Sequence, residues 1–164
     1  MKQYVYKKKL EVHQLYSLKK DVTFILFDNV FKAIKHLGIL LERYQFSLQL
    51  LKLLIKLTLK RNVLYAVVDN NIIVSDGVLS FGSCNYYEIN KNDCVIGPVY
   101  TDIKCRGKGL ATFGLQECLK LLQKNDDLKY VYIDTSADNK AMQSVIKKLE
   151  FSCCSKTYER TDKC

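Results

Sequence analysis

One feature narrows the possible folds more than any other: a basic, glycine-bearing turn held between a strand-like run and a helix-like run. Residues 94–101, Cys-Val-Ile-Gly-Pro-Val-Tyr-Thr, read as a strand, and residues 109–123 set Leu110, Phe113, Cys118 and Leu122 near one face of a helix. Between them stands Arg106-Gly107-Lys108-Gly109-Leu110-Ala111. The first N–H groups of a helix have no partner inside it, and they carry the positive end of its dipole. Two glycines let the backbone curl so that successive N–H groups point at one spot, and Arg106 and Lys108 add full charges. The result is an anion cradle of phosphate or pyrophosphate size. The plainer alternative is a tight strand–helix turn with incidental charge.

Two nucleotide-binding patterns fail on specific residues. A phosphate-binding Walker loop needs glycine where Asp102 stands and Ser or Thr where Gly109 follows Lys108. A dinucleotide fingerprint needs a third glycine at position 112, which is Thr.

Residues 3–10 alternate loosely and predict a first, edge-like strand. From Asp21 to Arg61 the pattern is helical and long, with Gly38 the expected break. Val63–Val68 predicts a strand, Asp69-Asn70-Asn71 a turn, and Ile72–Val74 a second strand that continues into Val78–Phe81. Lys129–Asp134 predicts a further strand, Asp138–Leu149 a helix, and residues 151–160 a closing strand. Helices early, a meander in the middle and β-α-β-α-β at the end make an α/β chain with a mixed sheet. No repeat and no linker rich in Pro, Gly or Ser divides the 164 residues, so a single domain is expected.

At the hexad the chain resembles the GCN5-related N-acetyltransferase (GNAT) family. That family's acetyl-CoA loop reads Gln/Arg-x-x-Gly-x-Gly/Ala, matched by Arg106, Gly109 and Ala111. A second landmark, an Asn opening the next helix, is matched by Asn139. Its Gly-Phe exit is represented by Leu149-Glu150-Phe151, with Glu150 in place of the usual glycine. The resemblance covers residues 63–159 and implies the acyl-CoA N-acyltransferase fold, here with a helical N-terminal third, and acetyl transfer from acetyl-CoA. It implies that residues 106–111 (Arg106, Gly107, Lys108, Gly109, Leu110, Ala111) hold the pyrophosphate. The pantetheine arm would pair with the backbone of Val99, Tyr100 and Thr101, and a backbone N–H near Val99 would hold the thioester oxygen as it gains charge. Asn139 would help fix the opening, or serve as a plain helix N-cap.

The departures from the family concern chemistry. Many members carry a Tyr seven residues after the Asn, and here that position is Ile146. Val95 and Gly97 occupy places where a general base is frequent. Tyr100, Tyr132, Asp134 and Cys153 are the available stand-ins, and none is singled out as catalytic. A fold-level alternative is a weakened module that binds acyl-CoA or a partner without turnover.

The net charge of +9 lies entirely in residues 1–61, which hold thirteen basic and four acidic residues. Lys52, Lys56 and Lys60 recur as one helical stripe, with Leu50, Leu51, Leu54 and Ile55 expected to pack inward on the other side. The pattern is that of an ordinary solvated helix face, so nucleic acid is not an expected partner, and polyanion binding by this third is the remaining alternative. Because the family's acceptors meet this region, a small-molecule amine with acidic or phosphorylated character is expected, such as an amino sugar or a nucleotide-linked amino sugar. The run before the hexad also resembles acetyltransferases of bacterial surface-polysaccharide synthesis. Homodimers are common in the family, though nothing in this sequence marks an interface.

Seven cysteines, at 84, 94, 105, 118, 153, 154 and 164, include no C-x-x-C pair, and the two histidines, His13 and His36, lie far from them. No metal is expected, and reduced thiols packed as small hydrophobes fit a cytosolic chain. The N-terminus lacks an apolar signal run, and Glu42, Arg43, Lys52 and Lys56 interrupt the leucine-rich stretch, so a cytoplasmic protein without a membrane span is expected.

Overall fold

Alternating apolar residues in seven segments build one twisted sheet. The computed structural model describes residues 1–10, 21–45, 47–58 and 62–160; His13, Lys60 and Cys164 lie outside them. The strands are β1 (Lys2–Lys9), β2 (Thr23–Phe27), β3 (Asn62–Asp69), β4 (Ile72–Phe81), β5 (Asp93–Thr101), β6 (Tyr130–Ser136) and β7 (Lys156–Glu159), in the order β2-β3-β4-β5-β6-β1-β7. All neighbours are antiparallel except β5 and β6. The helices are α1 (Val30–Lys35), α2 (Leu37–Tyr44), α3 (Leu48–Thr58), α4 (Leu110–Leu122) and α5 (Lys140–Lys148). No helix among the described residues is long and apolar enough to cross a membrane.

One side of the sheet is covered by α4 and α5. Leu115, Cys118, Leu119, Leu122 and Ile146 meet Leu79, Ile96, Val131 and Ile133 there. On the other side Leu40, Leu50, Leu53 and Leu57 of α2 and α3 cover Leu64, Ala66, Val68 and Ile73. Cys94 and Cys118 are buried in the first of these cores, and burial pushes the Cys94 thiol up to about 12. Both therefore pack as small apolar side chains.

Four expectations need correction. The segment 21–61 is not helical throughout: Thr23–Phe27 is the edge strand β2, paired with β3. The break between α1 and α2 falls at His36, and Gly38 sits inside α2. Residues 2–9 are not at an edge, because β1 lies between β6 and β7 and pairs with both. On α3 the buried stripe is Leu50, Leu53 and Leu57, while Leu51 and Ile55 stand about half exposed, at 55% and 50%. A two-stripe leucine pattern cannot tell from sequence which stripe faces inward.

Tyr65 is fully buried at the centre of the larger core, and its hydroxyl has no hydrogen-bond partner among the described residues. A buried polar group left unpaired costs about 1–3 kcal/mol. Tyr65→Phe is therefore expected to raise stability by about 1 kcal/mol, read as a melting temperature about 2–4 °C higher. A lower melting temperature would mean that the hydroxyl has a partner.

Candidate active site

The parallel pairing of β5 and β6 runs from Asp93↔Tyr130 to Ile96↔Ile133 and then stops. Beyond it β5 stays with β4, at Gly77↔Val99, Asp76↔Tyr100 and Ser75↔Thr101. Meanwhile β6 stays with β1, at Val5↔Asp134 and Tyr4↔Thr135. The two strands fork, and among the described residues the backbone of β5 from Gly97 to Thr101 has no strand partner on that side. Pro98, which has no N–H to give a ladder, falls where the β4–β5 register shifts. An edge opened in this way can accept an extended ligand as an extra strand.

Beyond β5 the chain makes a short 3-10 turn at Ile103–Cys105, capped by Asp102, whose carboxylate accepts from Lys104 N at 2.8 Å. Gly107 and Gly109 follow with φ of +77° and +73°. This left-handed backbone is open to glycine and strained for other residues, which is why the turn uses two. Helix α4 then starts at Leu110 with no side-chain cap and no acidic residue in its first turn. Its leading N–H groups and dipole are left for a ligand.

Fork and turn open into one cleft of about 400 Å³. Of the residues expected from sequence, it brings together Val99, Tyr100, Thr101, Arg106, Gly107, Gly109, Leu110, Ala111 and Asn139. Lys108 does not line it. Within the hexad, then, Arg106 carries the cleft-lining charge, with its Nε donating to the Thr101 carbonyl at 3.2 Å. Met142, Ser144, Val145 and Lys148 also line the cleft. They form one face of α5, a placement that only the packing of that helix could reveal. Arg106 and Lys148 are the cations of the lining, and no carboxylate belongs to it. The cleft therefore favours an anionic, elongated ligand with an apolar middle.

Asn139 caps α5, its Oδ1 accepting from Met142 N at 3.0 Å, while its residue also borders the cleft. Ile146, standing where many relatives have a phenol, is buried in the core against Leu149 and Phe151. Glu150 has φ of +57°, a conformation suited to the glycine it replaces. Of the possible stand-ins, Tyr100 lines the cleft, Cys153 is exposed, and Tyr132 is buried beneath Tyr87. Asp134 lies at the fork. Among the described residues there is no cluster of His, Cys, Asp and Glu suited to a metal ion.

A mixed sheet that forks beside a glycine turn and an uncapped helix makes a cleft in which an elongated anionic ligand can lie along an open strand edge. A family model described as acetyltransferase (GNAT) domain matches residues 42–152, so the chain belongs to the GNAT acetyltransferase family. Among curated protein sequences none matches the chain. Among solved structures, it is similar to aminoglycoside N-acetyltransferase AAC(6')-Iy in complex with the bisubstrate analog CoA-S-monomethyl-acetylneamine. That match has a TM-score of 0.64 and 12% identity over 88% of this chain and all of the other. It is also similar to a predicted acetyltransferase with acetyl-CoA from Clostridium acetobutylicum, with a TM-score of 0.51 and 20% identity over 87% and 93% of the two chains. A third is the aminoglycoside 6'-N-acetyltransferase AAC(6')-Ih from Acinetobacter baumannii, with a TM-score of 0.58 and 12% identity over 87% and 99%. At these identities the likeness is one of fold.

Proposed function

We propose that the chain is an N-acetyltransferase that moves the acetyl group of acetyl-CoA onto a primary amine of a small molecule, by direct attack in a ternary complex. The observation that carries this reading is the joining of the β5–β6 fork to the uncapped start of α4 in one carboxylate-free cleft. The pyrophosphate of the donor would rest on the N–H groups of residues 106–111, with Arg106 and Lys148 adding charge. The pantetheine arm would lie along Val99 to Thr101. The structural relatives named as aminoglycoside acetyltransferases support an acceptor that is a small-molecule amine. An amino sugar, as expected from sequence, falls within that class. Residues 1–61 would border the acceptor side, and residues 62–164 would hold the donor cleft, of one cytoplasmic domain.

In the reaction the amine nitrogen attacks the thioester carbon, and a β5 backbone N–H near Val99 holds the oxygen as it becomes negative. The C–S bond then breaks. A thiol titrates near pH 8.5, so the thiolate leaves without a strong acid, which accommodates Ile146. Fixing both reactants supplies several kcal/mol of the barrier reduction.

The test is a thermal-shift titration with acetyl-CoA beside a double variant, Arg106→Glu with Gly109→Asp. Ligand at 100 times its Kd stabilises by about 2.7 kcal/mol, which is roughly a 5–10 °C rise in a chain of this size. The rise is expected in the wild type and absent in the folded variant. No rise at millimolar acetyl-CoA would reduce the turn to a structural one. A rise without CoA release on any amine would favour the binding module.

A further inference from the structure

The fork has a second occupant that the donor cleft does not use. Gly97 and Asp134 are the first residues beyond the last β5–β6 pair, and they face each other across the opening. A methyl group added at Gly97 would sit 3.8 Å from Asp134 Oδ1. Glycine therefore leaves the carboxylate uncovered on the β5 side. On its other sides Asp134 accepts from the Tyr158 hydroxyl at 2.6 Å through Oδ2 and from the Tyr87 hydroxyl at 3.4 Å through Oδ1.

These phenols come from β7 and from the loop 82–92, and they belong to a ring cluster on the sheet face turned away from α4 and α5. Tyr158 stacks on Tyr86 at 5.4 Å and meets Tyr87 at 5.7 Å, and Tyr87 meets Tyr132 at 6.1 Å. Burial first, and the Asp134 carboxylate after it, raise the pKa of the Tyr87 hydroxyl, so it remains a donor. The rings already draw cations of the chain: Lys7 lies 3.6 Å over Tyr130, and Arg160 5.2 Å over Tyr86. Beside them the loop forms a hollow of about 390 Å³ lined by residues 83–89, including the exposed Glu88.

Resting on the acetyl-transfer reading, we infer that Asp134 with Tyr86, Tyr87, Tyr132 and Tyr158 is the acceptor subsite, that it takes a cationic primary amine, and that the Asp134 carboxylate receives the ammonium proton. Tyrosine faces attract a desolvating cation, and a carboxylate at the fork meets it beside the place where the thioester would lie. The steps balance without any redox partner. The ammonium gives one proton to Asp134, and its nitrogen lone pair forms the N–C bond. The C–S bond breaks, the nitrogen's second proton goes to the departing thiolate, and Asp134 returns its proton to solvent. The subsite sets the acceptor preference toward cationic scaffolds and against nucleotide-linked or phosphorylated amino sugars.

Asp134→Asn keeps the shape and one oxygen acceptor for the tyrosines while removing the charge. CoA release is measured with spermine and with glucosamine 6-phosphate, alongside the acetyl-CoA thermal shift. Spermine is expected to be the better substrate of the wild type. Asp134→Asn is expected to lower kcat/KM about a hundredfold or more while leaving the acetyl-CoA shift unchanged. In a companion variant, Tyr87→Phe with Tyr158→Phe, the carboxylate loses its orienting hydroxyls, and kcat/KM is expected to fall about tenfold. The proposal is overturned if both variants turn over at wild-type rates, or if glucosamine 6-phosphate is the preferred acceptor. Those results leave the donor site standing. A wild type that shows neither an acetyl-CoA shift nor CoA release overturns the donor reading, and this proposal with it.

Discussion

Gly77→Val is expected to lower the melting temperature by roughly 6–12 °C, corresponding to about 3 kcal/mol of overpacking. A Cβ at Gly77 would lie 2.6 Å from the Tyr65 ring and 2.7 Å from its hydroxyl. Tyr65 cannot retreat, because Gly114 of α4 receives the opposite edge of the ring, where an added Cβ would meet it at 2.9 Å. Phe24 stacks on its face at 5.9 Å. The ring is held between two glycines, one on β4 and one on α4, which is how the helix comes so close to the sheet. Combining Gly77→Val with Tyr65→Phe removes the hydroxyl contact, so part of the loss should return in a double-mutant cycle. Additive losses would mean that Gly77 matters for another reason.

Asp76→Ala is the second large effect, expected to cost about 2–4 kcal/mol because it breaks a largely buried pair and strands its partners. Asp76 is 3% exposed and accepts from Arg43 Nε at 3.1 Å and from the Tyr44 hydroxyl at 2.6 Å. Those two residues end α2, so the carboxylate pins that helix to β4. Burial, followed by the charge of Asp76, keeps the Tyr44 phenol protonated well above its usual range. Arg43 also lies 4.1 Å over the ring of Tyr100, which lines the cleft between β5 and α5. A denaturant melt should show the lost stability, and the KM for acetyl-CoA should rise with it. Unchanged stability would place the pair among surface contacts of little weight.

The cradle was legible because it is local. Two glycines, a basic residue and a helix start occupy six consecutive positions, and Asn139 opens its helix by the ordinary chemistry of a cap. The fork was not legible from the residues alone. Nothing in Val95-Ile96-Gly97 says that pairing with a strand near residue 133 ends at Ile96. Thr23–Phe27 is a strand inside a stretch that reads as helical, because a five-residue apolar run fits either period. The loose alternation of residues 3–10 reads as an edge-like strand, yet β1 pairs on both sides, with Lys7 over the Tyr130 ring and Lys8 reaching Glu150 at 3.7 Å. Asp134, Tyr87 and Tyr158 meet across separations of 47 and 24 residues, and Gly77 and Gly114 meet only through Tyr65. Such groupings are properties of register and packing, and a single sequence carries no local mark of them.

The placement of β1 bears on the order in which the molecule can be assembled. Its partners are residues 130–136 and 156–159, so its hydrogen bonds span most of the chain. During synthesis β1 emerges before both of its neighbours, and its native pairing waits until residues 130–159 have been translated. Loop closure on that scale is slow. Meanwhile β6 lacks its outer neighbour and β7 has nothing to pair with. The fork owes one of its arms to β1, so the opening beside Asp134 takes shape only when residues 2–9 meet residues 130–136.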